Sequence, residues 1–190
     1  SRIFRVPWAL QIEDLFPDAA IAAGVLTNKK AIGFFVGMEK FLYRNSQRIS
    51  VISKSFRQTL LAKGIPNSKI EVIPVWADPD EVRPMQKQNA FRREHGLENK
   101  FVVMYAGNIG LTSCLEDALH AAEILRGQED IQFVIVGEGA RKDSLMAEMQ
   151  SRQLTNILFL PFQPRETFPE LLAAADISLV TLNAGAALSS

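Results

Sequence analysis

The sequence predicts an α/β protein built on parallel, Rossmann-like sheets. Three observations carry that reading. From residue 101 onward, short apolar runs alternate with amphipathic segments. The runs are apolar on both faces, as strands covered by helices on both sides must be. Glycines follow the first two of these runs, at Gly107 and Gly137, where a strand has to turn into a right-handed crossover.

The elements follow in chain order. Ala19–Leu26 and Ala31–Tyr43 read as helices, the second flanked by Lys29, Lys30, Lys40 and Arg44. Ile49-Ser50-Val51-Ile52 reads as a strand. Ser53 or Ser55 then caps a helix carrying Phe56, Leu60 and Leu61, which stops at Lys63-Gly64. Ile70-Glu71-Val72-Ile73, ended by Pro74, completes a βαβ unit. Ala77 to Lys100 holds Pro79, Pro84, many charges and one short helix near Ala90–His95, and reads as a connector.

The second half is more regular. Phe101–Ala106 is a strand, and Leu115, Ala118, Leu119, Ala122 and Leu125 mark a helix ending at Gly127. Gln132–Val136 is the next strand, followed by Gly137-Glu138-Gly139 and a helix with Leu145, Met146 and Met149. Ile157–Leu160 is a third strand. Phe168, Leu171, Leu172 and Ala175 share a helix face, and Ile177–Val180 is a fourth strand.

Composition narrows the function classes. The chain has 190 residues, with 21 basic against 21 acidic side chains and 47% hydrophobic residues. That suits one large or two small globular domains and excludes disorder. Zero net charge argues against a nucleic-acid binder. One cysteine excludes a disulfide framework or a Cys-based zinc site and suits a reducing cytoplasm, and two histidines leave little for a metal. The charge-free stretches Phe101–Leu115 and Ile177–Ser190 fall short of a membrane span, and no secretory signal opens the chain. Ser1–Arg5 and Leu188–Ser190 read as an arbitrary start and stop.

Ligands of open parallel sheets bind beyond the carboxyl ends of the strands. Two loops there stand out, Gly107-Asn108-Ile109-Gly110 and Gly137-Glu138-Gly139. Glycines permit close backbone approach, and loop N–H groups can face an anion; a plain strand-to-helix turn needs glycine as well. Arg141-Lys142 falls in a first helical turn, where the macrodipole disfavours cations. A bound diphosphate would turn that cost into a benefit; the alternative is that Glu138 and Asp143 neutralise the pair. A dinucleotide fingerprint lacks its third glycine, and a Walker loop lacks G-K-[ST]. Cys114, His95 and His120 read as structural or solvated.

Tyr105–Gly110 with Leu115–Leu119 and Ala121-Ala122, Val136–Lys142 with Leu145, Phe159–Pro164, and Leu171–Ile177, taken in that order, resemble the motifs of family 4 glycosyltransferases. Gln11-Ile12-Glu13-Asp14 with Asp18-Ala19-Ala20, and Ile73–Asp78, are similar to H-I-Q-D…D-A-A and I-P-N-W-V-D of the WcaI-type colanic-acid and exopolysaccharide branch.

The resemblance implies a GT-B fold and a retaining, metal-independent transfer from a UDP- or GDP-sugar to an acceptor, often a lipid-linked saccharide at the inner membrane face. Residues 1–78 would end an acceptor domain, 79–100 connect, and 101–190 open a donor domain. Gly107, Asn108, Ile109, Gly110, Gly137, Gly139 and Lys142 would hold the donor diphosphate. Leu160, Pro161, Phe162 and Gln163 would lie near the base, with Gln11 and Asp14 on the acceptor side. No catalytic residue is assigned.

The sequence departs from the pattern at Gln11 for histidine, Val75 for asparagine, and Ser113-Cys114 for Gln-Gly. Acceptor-domain strands are expected before Ser1, and the acidic motif that grips donor sugar and ribose after Ser190, so the chain reads as the middle of an enzyme, inactive alone. A non-catalytic nucleotide- or phosphate-binding module is the alternative, with a nicotinamide site using Glu138 as a third reading. The basic and aromatic stretch Lys29–Arg48 is compatible with peripheral contact at anionic lipid or with packing on the sheet.

Overall fold

The computed structural model describes residues 6–182, so the two chain ends read as arbitrary lie outside the described residues. After Trp76 the chain divides into two units, each with its own parallel sheet.

In the first unit the elements run β1 (Ala9–Ile12), α1 (Asp18–Ala22), α2 (Lys29–Asn45), β2 (Arg48–Val51), α3 (Lys54–Ala62) and β3 (Ile70–Val72). The strands lie in the order β1-β2-β3, with Ile12 opposite Val51 and Ile49 opposite Ile70. Ile12, Tyr43, Ile49, Val51, Phe56, Leu60 and Ile70 form its core.

Local chemistry sets the ends of these elements. The Asn28 side chain accepts from the N–H groups of Lys30 and Ala31, so α2 begins two residues before the periodicity suggests. Ser53, not Ser55, caps α3 by accepting from the Phe56 N–H at 3.2 Å. Gly24 at φ +69° ends α1 well short of Leu26. β1 is an addition to the sequence reading. Only Leu10 and Ile12 of Ala9–Ile12 are strongly apolar, and the strand exists by pairing with β2.

The second unit contains α4 (Ala90–Glu94), β4 (Phe101–Ala106), α5 (Glu116–Ile124), β5 (Ile131–Val136), α6 (Lys142–Ser151), β6 (Ile157–Leu160), α7 (Phe168–Ala174) and β7 (Ile177–Ser178). Its four parallel strands lie in the order β6-β5-β4-β7. Val103, Phe133 and Ile135 point into one apolar layer with Leu119 and Leu145. Val102, Met104, Val134 and Val136 point into the other with Leu171 and Ala174. The strands are therefore apolar on both faces for the reason expected: each face carries a helical layer. β7 is two residues long where Ile177–Val180 was expected. Among the described residues it pairs with β4 through Val103 and Met104, and Val180 beyond it is exposed.

Residues 77–100 pack within this second unit. Phe91 and Leu97 join the α7 layer. Arg92, 1% exposed, donates to the Ala174 carbonyl at 2.9 Å and to Asp176 at 2.6 Å. Asp176 also accepts from the Val102 N–H and pairs with Lys87. Burial alone would raise the Asp176 carboxyl, but the Lys87 hydrogen bond, the Val102 N–H and Arg92 together hold it below the usual carboxylate range.

Candidate functional site

Parallel strands deliver all their following loops to one end of the sheet. In the second unit the loops after β4, β5 and β6 meet there. The Gly107 N–H donates to Val136 at 3.0 Å, the Ile109 N–H to Glu138 at 2.8 Å, and the Gly137 N–H to Leu160 at 3.1 Å. These bonds stitch the two glycine loops and the Leu160 strand end into one layer. Gly107, Asn108, Ile109, Gly110, Gly137, Gly139, Lys142 and Leu160 are thus brought together.

The glycines are explained differently from the sequence reading. Gly137 and Gly139 sit at φ +148° and +155°, which L side chains rarely adopt. A Cβ on Gly137 would overlap the Gly107 carbonyl oxygen, and one on Gly139 the Ile109 carbonyl. What approaches these two glycines closely is the neighbouring loop. The N–H groups of Gly107 and Ile109 are likewise spent inside the layer. Those of Asn108 and Gly110 meet no acceptor among the described residues, although Gly110 is buried. The Tyr105 hydroxyl, absent from the sequence-based site, donates to the Asn108 carbonyl at 2.8 Å and fixes the turn.

Lys142 corrects a second expectation. At a helix start the dipole disfavours this cation, yet its ammonium donates to the Gly137 carbonyl at 3.0 Å, the Glu138 carboxylate at 2.7 Å and the Leu160 carbonyl at 3.4 Å. It closes the ends of β5 and β6. Arg141 pairs with Glu116, a partner the sequence did not suggest because it lies on α5. Of the two acids named in the alternative reading, Glu138 pairs with Lys142, whereas Asp143 forms no ion pair among the described residues and Glu116 pairs with Arg141 instead.

Beyond β6, Pro161 is exposed, Phe162 is 74% exposed, and the Gln163 amide donates to the Pro161 carbonyl. Cys114 lies near the start of α5, and a hydrogen bond with Asp117, some burial and the charges of Asp117 and Glu116 push its thiol up, away from thiolate character. His95 packs edge-on against Phe91 with ring centroids 4.5 Å apart. Among the described residues no three His, Cys, Asp or Glu side chains gather as metal ligands.

Gln11 and Asp14 lie in the first unit, at and just after the end of β1. They line one wall of a cavity of about 190 Å³, with Phe35, Met38 and Glu39 of α2 on the other. Gln11 donates to Glu13 at 2.7 Å, and Asp14 is exposed. On α2, Tyr43 and Glu39 face inward, whereas Phe34, Met38 and Phe41 form an exposed stripe. Among the described residues no helix is long and apolar enough to cross a membrane.

Comparison with known proteins gives this arrangement its family. The chain is 31% identical over 184 residues to WcaI, a glycosyl transferase assigned to colanic acid biosynthesis in Escherichia coli (strain K12), and 28% identical over 181 residues to the glycosyltransferase WbjE of Pseudomonas aeruginosa. Each match covers 94% of this chain and 45% of the relative, so the chain spans about half the length of these curated relatives. Among solved structures it superposes on Anabaena HepE in complex with UDP and glucose, with a TM-score of 0.73, 18% identity, and 94% of this chain and 47% of that one covered. It also superposes on WaaG, a glycosyltransferase involved in lipopolysaccharide biosynthesis, with a TM-score of 0.75, 14% identity, and 97% and 54% covered. The fold is that of GT-B glycosyltransferases. The family model for glycosyl transferases group 1 matches residues 87–187, just over half of the sequence, and the chain belongs to that family.

Proposed function

We propose that the chain supplies the donor-nucleotide site of a retaining, metal-independent hexosyltransferase acting in cell-surface or exopolysaccharide synthesis. The observation that carries this is the joining of the loops after β4 and β5 at the ligand-binding end of a parallel sheet, where the Lys142 ammonium ties the β5 loop to the end of β6. Family membership supports the reaction class, and the names of WcaI and HepE support a polysaccharide product and a uridine donor.

Transfer breaks the bond between the sugar's anomeric carbon and a diphosphate oxygen, and that oxygen leaves with the electron pair. The developing charge calls for preorganised donors. Lys142 offers a cation anchored on two carbonyls, and Asn108 and Gly110 offer open N–H groups. Phe162 provides an exposed aromatic face next to Leu160 for the base. The acceptor of this reading is a lipid-linked saccharide, received by the unit containing Gln11 and Asp14.

Titration of the 190-residue chain with uridine diphosphate tests this. Binding on the order of millimolar is expected, and Lys142→Ala should weaken it by about 1–3 kcal/mol, the range for a charge-assisted hydrogen bond. Equal binding by wild type and Lys142→Ala would contradict the assignment.

A further inference from the structure

A lysine ammonium has three N–H donors. In this protein all three are taken, by the Gly137 carbonyl, the Leu160 carbonyl and the Glu138 carboxylate. The three acceptors are not equivalent. Two are main-chain oxygens at the ends of β5 and β6, fixed by the sheet; Leu160 accepts from the Gly137 N–H as well. The third belongs to a side chain that is 58% exposed, on a loop residue whose own N–H is not part of the sheet. The Lys142 side chain itself is only 15% exposed. An incoming anion therefore has one route to this cation: it takes the place of the Glu138 carboxylate.

We infer that Glu138 is an internal stand-in for the ligand's anionic oxygen, occupying the third donor of Lys142 in the empty protein and giving it up when a diphosphate binds. The inference rests on the donor-site reading above and adds a residue that sets affinity. The carboxylate makes the empty site electrically neutral, so neither β5 nor β6 ends on an uncompensated charge. It also makes binding an exchange of one anion for another. The exchange disfavours weak single-charge anions, which gain little over Glu138. It favours a diphosphate, whose several oxygens reach the N–H groups of Asn108 and Gly110 as well as Lys142. Because the two carbonyls hold Lys142 in place, loss of Glu138 leaves the ammonium where it is with a donor open.

The test uses the full chain, with uridine diphosphate and inorganic pyrophosphate as probes. Glu138→Ala should tighten the binding of both by about 1.5- to 5-fold, the scale of a partly exposed ion pair. Glu138→Gln, which keeps an acceptor oxygen but no charge, should fall between. The gain should shrink at high salt and vanish when Lys142→Ala is already present, because the two residues act through one contact. Unchanged or weaker binding in Glu138→Ala overturns the inference, and so does a gain that persists without Lys142. If no form of the chain binds uridine diphosphate, the donor-site reading falls and this inference with it. Binding that Lys142→Ala weakens and Glu138→Ala leaves unchanged removes only the role of Glu138.

Discussion

Gly137 and Gly139 show how one residue type serves two arguments. The sequence marks both as places where backbone comes close, and the backbone beside them in the structure is that of the Gly107–Gly110 loop. A linear sequence cannot say which backbone approaches a glycine, since the contact lies 30 residues away in the chain. Lys142 makes the same point for charge. Its position in a first helical turn is unfavourable by roughly 0.3–1 kcal/mol, and taken alone that predicts a more stable protein on its removal. The bonds to Gly137 and Leu160 reverse the sign. Losing them and the Glu138 pair costs about 1–3 kcal/mol, more than the dipole returns. Lys142→Ala should therefore melt a few degrees below wild type, by about 2–4 °C per kcal/mol for a chain of this size. A raised melting temperature would mean the two carbonyl contacts contribute nothing. A structural lysine and a binding one both lower stability when removed, so nucleotide affinity is what separates them.

Among elements, the strongly periodic ones were legible and the weakly apolar or long-range ones were not. β4, β5 and β6 fall within a residue of their expected positions because six- and four-residue apolar runs admit little else. β1 was missed because four residues with two strong apolar side chains are a strand only once β2 is beside them. Residues 77–100 looked like a connector for their prolines and charges. Their buried Arg92, inside the charged run Phe91–Glu94, gave no signal of its partner Asp176, 84 positions away. That pair has a pH consequence. Asp176 ionises more readily in the folded protein than in the unfolded chain, so protons bind the unfolded state first as pH falls. Its contribution to stability is complete above the ordinary aspartate range near ~4 and drains away below it. Asp176→Asn leaves Arg92 buried without its counter-charge and should cost about 3–5 kcal/mol at neutral pH. The gap between wild type and Asp176→Asn in urea denaturation should narrow as pH drops through 4 towards 2. A constant gap would mean the carboxylate charge is not what secures α4 to β7.

At the scale of the molecule, the two units expose different chemistry. The first presents Phe34, Met38 and Phe41 on one stripe of α2, with Lys30 one turn before and Arg44 one turn after. The sequence offered two uses for this helix; Tyr43 and Glu39 are buried on its inner face, Phe35 packs on Phe16, and Phe34 and Phe41 are exposed. We propose that the outward stripe contacts anionic lipid, in keeping with a lipid-linked acceptor. Vesicles containing phosphatidylglycerol should co-sediment the chain in low salt and release it in high salt, and Phe34→Ser with Phe41→Ser should abolish the binding; absence of salt-sensitive binding would exclude the contact. The second unit holds the central claim, that the ends of β4, β5 and β6 form a donor-diphosphate site. Hydrogen exchange of the full chain with and without near-saturating uridine diphosphate tests it most directly. Added protection is expected over residues 107–110, 137–142 and 160–163 together, with the amides of Asn108 and Gly110 among the most slowed. Protection confined to the first unit, or no change in these three loops while the nucleotide is bound, would contradict it.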